Sequence, residues 1–111
     1  MNKVALEKLV APARREIDLG DYSNSLKGEK LTLWVNAPQA DEQQSYYPIR
    51  ADARVSASEL QQRADEMRAY VGIVYELDKE FVGKFSADLL LFLNNVAVKE
   101  SNAYYAELRK N

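Results

Sequence analysis

Glu76, Asp78 and Glu80 place three carboxylates within five residues, and carboxylate oxygens are the donors that Mg²⁺ or Ca²⁺ takes. The pattern stops short of a site. An EF-hand loop needs a glycine and a terminal glutamate at fixed offsets, and this stretch has neither, so it reads as a solvated turn. Asp65 and Glu66, flanked by Arg63 and Arg68, have the composition of an acid/base group. Their spacing suits exposed pairs along a helix instead, each worth roughly 0.2–0.5 kcal/mol. Arg14-Arg15, the only adjacent arginine pair, has the chemistry to touch phosphate. Glu16, Asp18 and Asp21 dilute its field, and a partner-facing or solvated strand start is the expectation. Ser25 with Lys27 comes nearest to a serine–lysine nucleophile, but turn-forming neighbours place both in a loop. The four glycines form no phosphate-cradling loop.

What the chain lacks decides more. It has no histidine and no cysteine. The commonest general acid/base, the commonest zinc and iron ligands and the thiolate nucleophile are therefore all missing. We expect no enzyme, no catalytic residue, no metal site and no cofactor. The remaining chemistry is contact. Seven tyrosines include the doublets Tyr46-Tyr47 and Tyr104-Tyr105, and tyrosine supplies rigid contact area at low entropic cost. Adjacent rings on a helix cannot share one face, so one of Tyr104 and Tyr105 must point away from the core. Trp34 lies opposite the apolar face of its strand. Trp34, Tyr46, Tyr47, Tyr104 and Tyr105 are the candidate partner-binding residues; the competing reading makes the tyrosines half-exposed rings at the core edge, and makes Trp34 core if helices cover both faces of the hairpin.

The elements that position these rings follow from periodicity. Residues 2–10 carry Val4, Leu6, Leu9 and Val10 and stop at Pro12, as a short helix or an exposed arm over residues 1–12. Residues 14–19 alternate, with Ile17 and Leu19 on one side. Residues 30–36 alternate too, with Leu31, Leu33 and Val35 on one face and Thr32, Trp34 and Asn36 on the other. Together, residues 14–36 form a loose antiparallel hairpin that must pack on something. Residues 37–55 read mostly as loop, with a helical turn near Asp41–Gln44. Ser56 and Glu59 make a capping box, and Leu60, Ala64, Met67, Val71 and Val74 mark the inner face of a helix. Whether residues 71–77 continue it or form a strand is open. Phe81, Val82 and Phe85 are expected to plug the core. Ser86 caps a last helix over about 87–108, whose apolar face includes Leu89, Leu90, Leu93, Val96, Ala97, Tyr104 and Leu108. The expected fold is α+β: one domain over residues 1–111, an N-terminal antiparallel β-hairpin packed against two longer C-terminal helices in residues 56–108.

Charge excludes some partners. Residues 1–55 carry eight basic and eight acidic side chains, residues 56–111 seven and nine. No basic stripe can track a phosphate backbone, so no nucleic acid is expected. The longest apolar run, Leu89–Leu93, has five residues, against about 20 for a membrane span. With charges where a signal peptide needs an apolar core, and no cysteine, a cytoplasmic location without membrane contact is expected.

The order of these elements resembles a known family. A "Leu-Glu-Lys-Leu" segment precedes Glu16-Ile17-Asp18-Leu19-Gly20. Leu31-Thr32-Leu33-Trp34-Val35-Asn36-Ala37-Pro38 follows, then Val74-Tyr75-Glu76-Leu77 and Phe85-Ser86-Ala87-Asp88-Leu89. Over most of its length the chain resembles the small tail-assembly proteins of tailed bacteriophages, including their tail assembly chaperones. The resemblance implies a non-enzymatic role in host cytoplasm: binding a long, aggregation-prone, tape-measure-like client, with homo-oligomers also in view. A small inhibitor that blocks a host protein, of the anti-defence type, would use the same surface physics.

Overall fold

An antiparallel hairpin lies against two long helices in the computed structural model, giving an α+β arrangement. The hairpin is β1 (Arg14–Asp18) and β2 (Lys30–Trp34); the helices are α2 (Ala57–Val74) and α4 (Ala87–Lys110). Helix α1 (Lys3–Val10) precedes the hairpin, and a single turn, α3 (Lys79–Val82), joins α2 to α4. The structure describes residues 3–38 and 57–110, with backbone alone for 57–60. The expected turn near Asp41–Gln44 and the Ser56–Glu59 capping box lie outside the described residues, apart from the backbone of 57–59.

Alternation in the strands becomes a two-sided sheet. The register pairs Arg14 with Trp34, Arg15 with Leu33, Glu16 with Thr32 and Ile17 with Leu31. Directly opposed residues share a face. Ile17, Leu31 and Leu33 therefore look inward, and Val35 continues that side beyond the strand. They meet Met67, Val71 and Val74 of α2 and Leu90, Leu93 and Ala97 of α4 in one core. The strands are shorter than the sequence pattern suggests because the ladder ends at Trp34. The Val35 N–H then donates to the Ala13 carbonyl at 2.8 Å.

One carboxylate organises the hairpin loop. Asp18 accepts from the N–H groups of Gly20 at 2.7 Å and Gly28 at 3.1 Å, and pairs with Lys30 at 3.3 Å. The amide bonds, that from Gly20 first, hold its pKa below the ordinary aspartate value. Gly20 must lack a Cβ, which would meet Asp18 Oδ1 and Lys27 Cα at 2.9 Å; Gly28 adopts φ +92°.

Residues 71–77 end the helix and form no strand. The Leu77 N–H donates to the Gly72 carbonyl at 2.9 Å and the Glu76 N–H to Ile73 at 3.3 Å, with Glu76 left-handed at φ 55°. That is a Schellman stop, with glutamate where glycine is usual. Of the three expected core plugs, Val82 is buried and Phe85 packs on the core, but Phe81 is exposed and stacks edge-on against Phe85 at 5.3 Å. Ser86 caps α4 as expected, accepting from the Leu89 N–H at 3.1 Å. Leu108 departs from expectation: it projects past the core and is exposed.

Tyr75 locks α2 to α4. It is 4% exposed and its hydroxyl donates to the Leu93 carbonyl at 2.8 Å. Burial first, then the charges of Tyr70 and Glu100, pushes its pKa well above the ordinary tyrosine value. The folded state thus holds this proton more tightly than the unfolded chain, which releases it near pH 10. Stability from this group is complete below about pH 10 and falls as pH rises above it. Urea unfolding at pH 9 and pH 11 should show a steeper loss for wild type than for Tyr75→Phe. Equal losses would place the phenol in contact with water.

Candidate functional site

Two of the candidate aromatic residues, Trp34 and Tyr105, meet in a groove of about 610 Å³ between α1 and the α2–α4 pair. Its floor is Trp34, Val35 and Asn36; Ala37 and Pro38 continue the rim. Leu9 and Val10 of α1 form one wall, and Tyr70, Val74, Ser101 and Tyr105 form the other. Ser101, Tyr105 and Leu108 follow one another at helical spacing, so the exposed Leu108 lies on the same face of α4, just beyond the groove lining.

Trp34 is half-buried, on the strand face opposite Leu33. The Arg14 guanidinium lies 5.7 Å from its ring centroid, a cation–π approach set by the direct pairing of the two residues. The indole Nε1 is buried without an acceptor among the described residues. A buried donor left unpaired costs about 1–3 kcal/mol, and such groups call for a physical explanation. Tyr105 is 38% exposed, whereas Tyr104 packs against the core; the rings meet edge-on at 5.1 Å. The doublet is thus split between core and surface. Tyr46 and Tyr47 lie outside the described residues.

Asn36 builds the joint beside the floor. Its Oδ1 accepts from the Ala13 N–H at 2.8 Å, and its Nδ2 donates to the Ala11 carbonyl at 2.8 Å and reaches that of Leu9 at 3.5 Å. One amide thereby anchors the end of α1 to the end of β2. Sequence periodicity gives Asn36 only an outward direction and identifies neither this role nor the wall residues Leu9, Val10 and Tyr70. The exposed apolar side chains of an eight-residue helix were the available signal.

Both arginines of β1 pair with carboxylates of the same chain, Arg14 at the exposed surface and Arg15 partly buried. Arg14 donates to Glu76 at 2.8 and 3.3 Å and, by that bonding, holds the Glu76 carboxyl below its ordinary pKa. Arg15, on the inner face, reaches Glu107 at 2.7 Å and Glu100 at 3.4 Å. The Glu76–Glu80 carboxylates are dispersed: Glu76 faces Arg14, while Asp78 caps α3 by accepting from the Phe81 N–H at 2.8 Å. Among the described residues no three carboxylates gather to hold a metal ion, and no helix is long and apolar enough to cross a membrane. Arg68 pairs with Asp65 at 3.4 Å along α2, as the spacing implies.

No family model, curated protein or solved structure matches this chain. The groove must therefore be read from its own chemistry. A second groove of about 710 Å³ runs between α2 and α3 over Ala69, Gly72, Ile73, Leu77 and Val82. Asp65, Arg68 and Lys79 edge it, and Trp34, Tyr104 and Tyr105 are not among its lining residues.

Proposed function

We propose that this chain is a non-enzymatic protein-binding factor that takes an apolar helix of a client protein into the α1–α4 groove. The observation that carries the reading is the meeting of Trp34 and Tyr105 in one groove whose open wall, Leu9 and Val10, is itself apolar. Helix recognition by a groove relies on apolar anchors at i, i+3 or i+4, and i+7 set between such walls. A chain without imidazole or thiol loses nothing in such a role.

The narrower reading follows from the family resemblance: a phage tail assembly chaperone or scaffold that covers a tape-measure-like client in host cytoplasm. Trp34-Val35-Asn36-Ala37-Pro38, the segment that most suggests that family, forms the floor and rim of the groove. The competing outcome is an inhibitor that seats a host protein in the same place.

Trp34 is the only tryptophan, so its emission reports on the groove directly. Titration with a helix-forming peptide bearing leucines at i, i+3, i+4 and i+7 should shift that emission to the blue. The combined Leu9→Ala and Tyr105→Ala changes should weaken binding by about tenfold or more, the scale of one interface anchor. Unchanged affinity in that variant, or no binding at millimolar peptide, defeats the assignment. Co-expression with the tape-measure-like product of an adjacent gene then separates the chaperone from the inhibitor: the chaperone keeps it soluble, and the inhibitor does not.

A further inference from the structure

We propose that, without a client, the groove is covered by a second copy of this chain, which docks its own α1 there in a two-fold dimer. The inference rests on the groove reading above and names its resting occupant.

Helix α1 poses the problem. It has eight residues and buries none of them. Isolated helices shorter than about 12–15 residues are marginal in water, so α1 needs packing; among the described residues its own chain supplies the Asn36 joint and the edge of the groove. Its apolar side chains are presented to solvent instead: Leu6 and Leu9 are 48% exposed and Val10 is 72% exposed. Leu6, Leu9 and Val10 share one stripe by their spacing. Leu9 and Val10 already line the groove, so apolar ridge and apolar trough are neighbours on one surface. A surface that carries both is self-complementary, the requirement for an isologous two-fold contact in which every contact occurs twice.

The area fits a weak contact. Full burial of one aliphatic side chain removes on the order of 100 Å² of apolar surface. Val4 lies about 140° round α1 from Leu9 and stays outside the contact. Covering Leu6, Leu9, Val10, Tyr105 and Leu108 from their present exposures removes about 250 Å² per copy on that scale. Interfaces are somewhat over half apolar, so the contact spans roughly 450 Å² on each side. That is about 900 Å² in total, just under a standard specific contact and in the range of a weak, reversible dimer. A weak dimer suits a binding factor, because a client helix can displace α1 from the partner's groove.

Sedimentation of the full chain tests this, with Trp34 emission followed over the same concentrations. Wild type should pass reversibly from monomer to dimer in the micromolar range, with a blue shift that tracks dimer formation. Leu9→Glu should remain a monomer at least tenfold higher in concentration; since Leu9 is exposed, its far-UV spectrum should stay folded. Leu26→Glu, at an exposed leucine of the hairpin loop, should dimerise like wild type. A wild-type monomer at several hundred micromolar overturns the proposal, as does a dimer indifferent to Leu9→Glu. Peptide binding by a chain that never dimerises would remove this proposal and leave the client groove standing. A dimer that Leu9→Glu disrupts, but that binds no peptide, would do the reverse.

Discussion

Leu33→Ala should lower the unfolding free energy by about 3 kcal/mol, within the usual cost of emptying a buried leucine site. Leu33 is 1% exposed and sits where the hairpin meets both long helices. Removing its branched end leaves a void bounded by three elements, none of which can close alone. Domains of this size are stable by about 5–15 kcal/mol, so the loss is a large fraction of the total. A fall in Tm of roughly 10 °C or more should accompany it. Leu31→Ala supplies the comparison: it shares that face but is only partly buried, and should cost distinctly less. Chemical denaturation of both variants decides the point. Equal losses would mean that the hairpin does not seat on α2 and α4 through its Val35 end.

That inward face was legible because period-two alternation has only two outcomes in a sheet. Leu31, Leu33 and Val35 had to lie together, and the opposing core supplied by α2 and α4 shows which way they turn. The last helix was legible for a similar reason: Ser86 supplies an N-cap, and a long run without proline or glycine gives nothing to stop it before the terminus. Periodicity assigns a direction but no neighbour. Leu108 has the phase of a core residue and Phe81 the chemistry of one, yet both project beyond the elements that would cover them. Asn94 is the converse, a polar side chain fully buried in the inner stripe of α4. Arg15 has the look of a solvated cation, but its register with Leu33 sends it across the core edge to Glu100 and Glu107.

The candidate site was legible in part for the same physical reason. Tryptophan beside an apolar strand face, and a tyrosine doublet on a helix, mark surface aromatic groups without showing that two of them meet. Their meeting depends on how β2 crosses α4 and on where α1 is held. Pro12 announces that α1 ends, but not that the chain beyond it pairs with the end of β2. The Trp-Val-Asn-Ala-Pro run draws attention by its aromatic residue. In the structure its asparagine sets the geometry.

Replacing Asn36 therefore tests the link between a hydrogen-bonded joint and a binding surface. An amide carries a donor and an acceptor on one rigid plane, and this joint uses both, toward Ala13 N–H and toward the carbonyls of Ala11 and Leu9. Aspartate keeps the acceptor but turns the donor into a second oxygen facing a carbonyl; leucine keeps the shape and loses both functions. Asn36→Leu should loosen the α1 joint by about 1–2 kcal/mol, the scale of one or two such bonds, while the core stays folded. Asn36→Asp should loosen it at least as much, through the opposed oxygens. The consequence is local because α1 buries no residue of its own. Backbone chemical shifts of residues 3–10 should move toward coil values, with those of α4 unchanged. Binding of an apolar helical peptide should weaken by about tenfold, since the Leu9–Val10 wall is then no longer held in place. If α1 shifts and peptide affinity both survive Asn36→Asp, the wall is placed by something other than this amide, and the groove does not depend on this joint.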